Sequence, residues 1–241
     1  MLPREYRESI GVACEEDILA YVNSQMGDNV YCVDTYNSLL PHNGEYIYFR
    51  TDHHWTALGA YYAYAEVMRS FGQEPYAIGD FERVTVSDSF LGTTYSKAGY
   101  KDITPDSMEI MQLRGQPSAF VTERPYDKEL PVIDGFYDYD ALKSKDKYAF
   151  YLGGTTKYLT VSRKDGEKRE KLMIVGDSFA LAPYLALHYD IEFVRLGDWS
   201  DVFAANGAPD CDRVLVVWNF ENLITTTDLS RTRSLPKFYG A

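Results

Sequence analysis

The sequence predicts a mixed α/β domain built on a parallel sheet, and three observations carry this. Apolar runs at 172–175, 191–196 and 214–218 have the length and β-branched content of strands buried on both faces. Helix-patterned stretches lie among them, as crossover connections between parallel strands require. The chain of 241 residues is long enough to bury about 70–75% of its unfolded surface, so its core needs neither disulfides nor metal.

Taken in order, "EEDILAYVNSQM" (15–26) places Ile18, Leu19, Val22 and Met26 at helical spacing. After the break at Gly27-Asp28-Asn29, "NVYCVDTY" (29–36) reads as a strand. "EYIYFR" (45–50) is extended, and "TALGAYYAYAEVMRSFG" (56–72) puts Leu58, Tyr61, Tyr62, Ala65 and Met68 on one helical stripe. Thr56 is its N-cap and Gly72 its stop. Residues 81–165 break into short β-like pieces separated by Gly, Pro, Asp and Lys, the texture of a strand-rich insertion within a single domain spanning 1–241. The α/β texture then returns with "KLMIVGDSFALAPYLALHYDIEFVRLGDW" (171–199) and "DRVLVVWNFENL" (212–223).

Composition narrows the function. A formal charge of −12 argues against nucleic acid, whose binding rests on clustered Lys and Arg. Neutral or acyl substrates fit this balance better. The 21 Tyr and 3 Trp suit sugar stacking, although most aromatic residues in any domain serve the core. Cys14, Cys32 and Cys211 give an odd number without CxxC spacing, so neither a disulfide framework nor a zinc ribbon is supported. Cys32 and Cys211 fall in predicted strands and read as buried small hydrophobes. The start "MLPREYRESI" lacks signal-peptide regions and no run of about 18 apolar residues exists, which leaves a cytosolic protein or one whose anchor lies outside this chain.

Two motifs carry chemistry. In "YFRTDHHWTALGAYYAYAEVM" (48–68), Asp52, His53 and His54 sit at a helix entrance. In "IVGDSFA" (174–180), Ser178 follows a buried strand at the sheet's carboxyl edge, where open α/β sheets bind ligands. A helix directly after it would place the Ser178 N–H at a positive helix end, suited to an oxyanion. A serine nucleophile needs a base, and the base needs an orienting acceptor. In extended backbone, residues i and i+2 share a face, so Asp52 reaches His54 more readily than its neighbour His53. The assignment is Ser178 nucleophile, His54 base, Asp52 orienter and His53 support. Zinc is the chemical rival for Asp52-His53-His54, but His42 and His188 have no ligand-like spacing to that cluster. Neither metal nor cofactor is expected, and capping and packing are the remaining plain roles for these residues.

With these residues in view, "YFRTDHHWTALGAYYAY", "GTTYSKAG" (92–99) and "GDSFALAPYLALHY" (176–189) closely resemble the DHHW protein family of bacteria. That family is similar to the SGNH-type acetyltransferase domains that O-acetylate exopolysaccharides, such as the alginate O-acetylation proteins. The resemblance implies an SGNH-hydrolase-like three-layer fold whose motif order, Asp52, His54, Ser178, is circularly permuted relative to ordinary SGNH esterases. It implies Asn219 and Gly197 as the SGNH asparagine and glycine at the oxyanion, with His53 and Trp55 in the substrate-binding set. The family pattern also has an Asn soon after the serine, where this chain has Leu181 and Ala182, and an Arg-Tyr pair near "LGDW" (196–199), so the outer contacts of the site differ. The implied activity is acetyl transfer or acetylesterase action on a cell-surface polysaccharide, outside the cytoplasm and anchored by a segment beyond this chain. The implied partners are a polysaccharide acceptor, an acetyl donor and a membrane-bound O-acyltransferase. A non-catalytic member that binds only glycan or partner is the rival reading.

Overall fold

The computed structural model describes residues 14–225 except 100, 117, 118, 128, 155 and 180. Two helices open this span, α1 (Glu15–Ser24) and α2 (Thr35–Leu39), followed by α3 (Ala57–Ser70), the strand β1 (Phe81–Phe90) and α4 (Thr93–Ala98). Next come β2 (Asp106–Leu113), β3 (Phe120–Glu123), β4 (Ile133–Asp134), β5 (Tyr158–Arg163) and β6 (Lys171–Gly176). The described residues end with α5 (Ala182–Leu185), β7 (Asp190–Arg195), α6 (Trp199–Asn206), β8 (Arg213–Val217) and α7 (Phe220–Thr225). Six strands form one sheet in the order β4-β3-β5-β7-β6-β8, while β1 and β2 pair separately.

The three apolar runs are parallel strands: β6 lies between β7 and β8 and runs parallel to both. Their continuous apolar character follows from burial on both faces. Leu172 and Ile174 join a cluster with Tyr64 and Met68 of α3. The alternate residues, Met173 and Val175, pack with Trp199, Val202 and Phe203 of α6. Helix α3 has the expected ends: the Thr56 hydroxyl accepts from the Gly59 N–H at 3.3 Å, and Gly72 takes a left-handed φ of 72°. It is buried over more than one stripe, with Ala63, Tyr64 and Val67 also inside and Tyr62 left at the edge.

Three local expectations are corrected. Residues 29–36 form no strand; the Asp34 carboxylate caps α2 by accepting from the Asn37 N–H at 3.0 Å, and Val30 and Tyr31 are exposed and pair with no strand among the described residues. Cys32 is accordingly exposed rather than buried, and Cys211 is partly exposed. The turn after β6 does not enter a helix at once, since α5 begins only at Ala182 and spans four residues. Strand-rich residues 81–165 supply two different structures: β1 and β2 make an antiparallel pair, whereas β3 and β4, with β5 (Tyr158–Arg163), add an antiparallel half to the main sheet. Among the described residues, no helix is long and apolar enough to cross a membrane.

Candidate active site

The Asp-His-His stretch is the tip of a narrow loop. Its legs are tied by Thr56 N–H to Ile47 O at 2.9 Å, Phe49 N–H to His54 O at 3.2 Å and a bridge between Tyr48 and Trp55. Below the tip, the buried Asp106 carboxylate at the start of β2 accepts from the Tyr46 hydroxyl (2.5 Å), the Arg50 N–H (3.2 Å), the Thr51 N–H (2.7 Å) and the Thr51 hydroxyl (2.6 Å). Four donors on one buried carboxylate anchor this loop to a strand more than fifty residues away in sequence.

Asp52 is buried and filled in the same way. Its Oδ1 accepts from the His54 N–H at 3.0 Å and from the His54 Nδ1–H at 2.5 Å, while Oδ2 accepts from the Thr93 N–H at 2.7 Å and the Thr93 hydroxyl at 3.0 Å. Asp52 reaches His54 through this Asx-type turn and not along an extended strand, because the carboxylate captures its own i+2 N–H. Burial opposes ionisation of Asp52, but the bonds from the His54 ring, Thr93 N–H and His54 N–H outweigh it and hold the carboxyl well below the usual carboxylate range. Gly92 is required here: a Cβ at that position would stand 2.2 Å from Asp52 Oδ2.

Ser178 arrives from the other side. It follows β6 by two residues, in a turn held by the Asp177 carboxylate, which accepts from the Phe179 N–H (2.9 Å), the Asn219 N–H (2.8 Å) and the Asn222 amide (2.9 Å). Its Oγ lies 2.5 Å from His54 Nε2. With Nδ1–H donating to Asp52, Nε2 is the acceptor and the serine hydroxyl the donor. Tyr148 stacks on the His54 ring at 3.8 Å with a 13° interplanar angle, and its hydroxyl donates to the Ser178 carbonyl at 3.3 Å. Among the described residues nothing accepts the Ser178 N–H. With α5 so short, that N–H gains little from a helix dipole.

The remaining candidates fall into two places. Trp55 packs edge-on to Phe179 and lines, with Ser178 and Asp177, a chamber of about 130 Å³. His53 lies outside it, half exposed, its Nδ1 2.6 Å from the Thr93 hydroxyl; burial and the adjacent His54 lower its pKa. Asn219 shares with His53 a separate groove that includes Thr93, Lys97 and Glu221. The Asn219 amide oxygen accepts from the Glu221 and Asn222 N–H groups at 2.7 and 3.4 Å, which caps α7. Gly197 sits in the turn after β7, beside the end of β6, where the Leu196 N–H donates to Gly176 O. Thr93 and Asp106 were not singled out for the site by sequence reasoning. Only Thr93, inside "GTTYSKAG", lay within a motif that could have pointed to it.

Asp52, His53 and His54 also offer ligand atoms within 4.8 Å of one another. Hydrogen bonds already occupy both Asp52 oxygens, both His54 ring nitrogens and His53 Nδ1. A metal would have to displace that set, so the donor chemistry fits a proton relay better than a coordination shell.

Comparison with known proteins places the chain. Its fold is similar to a DHHW family protein from Eubacterium siraeum, with a TM-score of 0.73 at 21% identity, covering 97% of this chain and 78% of that one. It is also similar to Bacillus cereus PatB1, solved with a sulfonyl adduct, with a TM-score of 0.67 at 20% identity over 87% of this chain and 74% of PatB1. No curated protein matches the sequence. The DHHW protein profile matches residues 2–195, most of the chain, and the protein belongs to the DHHW family.

Proposed function

We propose that the protein is a serine-dependent O-acyltransferase or esterase of SGNH-like, circularly permuted fold. It works through an acyl-enzyme on Ser178 and acts on O-acyl groups, of which acetyl is the smallest, of a cell-surface or exported polysaccharide. The observation that carries this reading is the continuous relay Asp52–His54–Ser178, with 2.5 Å at both links. His54 takes the Ser178 proton as Oγ adds to the acyl carbonyl, and returns it to the departing alcohol oxygen. An acceptor hydroxyl then gives its proton to His54 and takes the acyl group, which restores the serine; water in that place makes the reaction hydrolysis. The Ser178 N–H is one oxyanion donor, with Asn219 and Gly197 as the other candidates.

The likeness of fold to PatB1 supports this, since sulfonyl reagents react with activated nucleophiles. The same reading puts the protein outside the cytoplasm, with an anchor, an acetyl donor and a membrane-bound O-acyltransferase as partners. The test is labelling with a fluorophosphonate and hydrolysis of activated esters. Ser178→Ala, His54→Ala and Asp52→Asn should each lower turnover by about 10⁴, and double variants should lose no more than singles because the three act as one unit. Wild-type rates in Ser178→Ala would leave a glycan-binding role in place of catalysis.

A further inference from the structure

The chamber beside Ser178 is more than an acetyl group needs. Its volume is about 130 Å³, close to that of an engineered apolar cavity of roughly 150 Å³ that holds benzene. Leu159 of β5 and Phe193 of β7, paired across the sheet, line it together with Ala60 of α3, Leu152 and Pro183.

Most polar side chains in the wall already donate elsewhere, the Tyr137 hydroxyl being the exception among the described residues. The Thr56 hydroxyl donates to Tyr46 O at 2.7 Å, and the Thr156 hydroxyl to Asp127 Oδ2 at 2.7 Å. The Tyr151 hydroxyl donates to Glu109 O at 2.9 Å and the Tyr184 hydroxyl to Ala57 O at 2.7 Å. Tyr148 donates to Ser178 O. Asp146 and Arg195 bring charge, but Asp146 is exposed, and Arg195 is also solvent-accessible and ion-paired with Asp198, so both belong at the mouth. A sugar in this chamber would leave most of its hydroxyls without partners, and burying an unpaired hydroxyl is costly. A hydrocarbon chain loses nothing there.

We infer that the chamber holds the acyl chain of the Ser178 ester, and that the protein prefers acyl groups of about four to six carbons over acetyl. The inference rests on the acyl-enzyme reading above and changes only the group transferred. The bond formed is Ser178 Oγ to the acyl carbon, the bond broken is that carbon to the donor oxygen, and the donor oxygen leaves with the proton held by His54. Each methylene that enters the chamber should raise kcat/KM roughly fourfold. The sugar acceptor stays outside, at the mouth.

The experiment uses para-nitrophenyl acetate, butanoate, hexanoate and decanoate with the full chain, Ser178→Ala, and two variants that fill the chamber from different elements, Ala60→Leu and Ala149→Leu. Folding of each variant is checked by circular dichroism. The expected result is kcat/KM for butanoate or hexanoate at least about tenfold above acetate, a fall for decanoate, and a shift of the butanoate-to-acetate ratio back toward one in at least one folded filling variant. Acetate as the best ester, with filling leaving the ratio unmoved and Ser178→Ala inactive, overturns the acyl chamber and leaves serine catalysis standing. Ester hydrolysis that survives Ser178→Ala on every ester overturns the catalytic reading, and the chamber's role with it.

Discussion

The two sides of the relay are held by different means. Asp52 and His54 sit on a loop whose shape depends on two buried carboxylates, Asp106 and Asp52, each accepting four hydrogen bonds. Ser178 sits at the end of a parallel strand inside the sheet, and the Asp177 carboxylate that shapes its turn bonds to groups on the partly exposed α7 segment. Thr51 on the first side is fully buried and out of reach of water, whereas Asn222 on the second is exposed. The proposed base, His54, is therefore positioned by a polar network and the proposed nucleophile, Ser178, by sheet topology.

The largest expected effect tests this contrast directly. Asp106→Ala strands four donors, two of them on the fully buried Thr51, and should cost at least about 3 kcal/mol of stability. Asp177→Ala, two of whose three partners lie on the partly exposed α7 segment, should cost about 1 kcal/mol. Urea unfolding of both variants measures the difference, and equal losses would break the comparison.

A second effect concerns the pin between the two sides. Tyr64 of α3 donates its hydroxyl to His188 Nε2 at 2.8 Å, tying the helix that follows the Asp-His loop to the segment that follows Ser178. Burial, with the charge of Arg169, pushes the His188 pKa down to about 4. Between that value and the unfolded value of about 6.5, the unfolded chain binds a proton that the folded chain does not. Stability should therefore rise with pH across this window and fall on acidification, by about 2 kcal/mol after allowance for solvent screening. Thermal unfolding at about pH 7 and pH 4.5 checks this, with His188→Gln expected to flatten the dependence.

The smallest effect sharpens the account of the base. Thr93→Val removes one of four bonds to Asp52 and keeps the backbone donor, so kcat should fall about tenfold with KM unchanged. Thr93→Ser should restore it. A loss in KM instead would mean that Thr93 meets substrate and does not merely hold Asp52.

The parts of this arrangement that were legible in the sequence are those set by local rules. The Thr56 cap, the Gly72 stop and the apolar runs of β6, β7 and β8 follow from helix ends and two-faced burial. The i to i+2 spacing of Asp52 and His54 identified the right pair, although the turn that joins them was not the extended one expected. Residues 29–36 misled because strand propensity is a weak signal that local capping overrides, here the Asp34 carboxylate opening α2. Asp106 and Thr93 were missed because each meets the loop across a long stretch of chain, and nothing in an isolated Asp or Thr announces such a partner. The turn after β6 was misread because Gly-Asp-Ser resembles a helix cap, while Asp177 in fact accepts from the Phe179 N–H with one oxygen and from the α7 segment with the other.

The rings around His54 have a kinetic consequence. Tyr148 lies flat against the imidazole, Phe179 leans on it at 4.8 Å, and His53 stands 3.9 Å away, so the ring is clamped and cannot swing between two stations. In an acyl-transfer cycle the one Nε2 must serve the alcohol that leaves and the alcohol that arrives. Both therefore use a single seat in turn, and excess donor alcohol should act as a competitor of the incoming sugar.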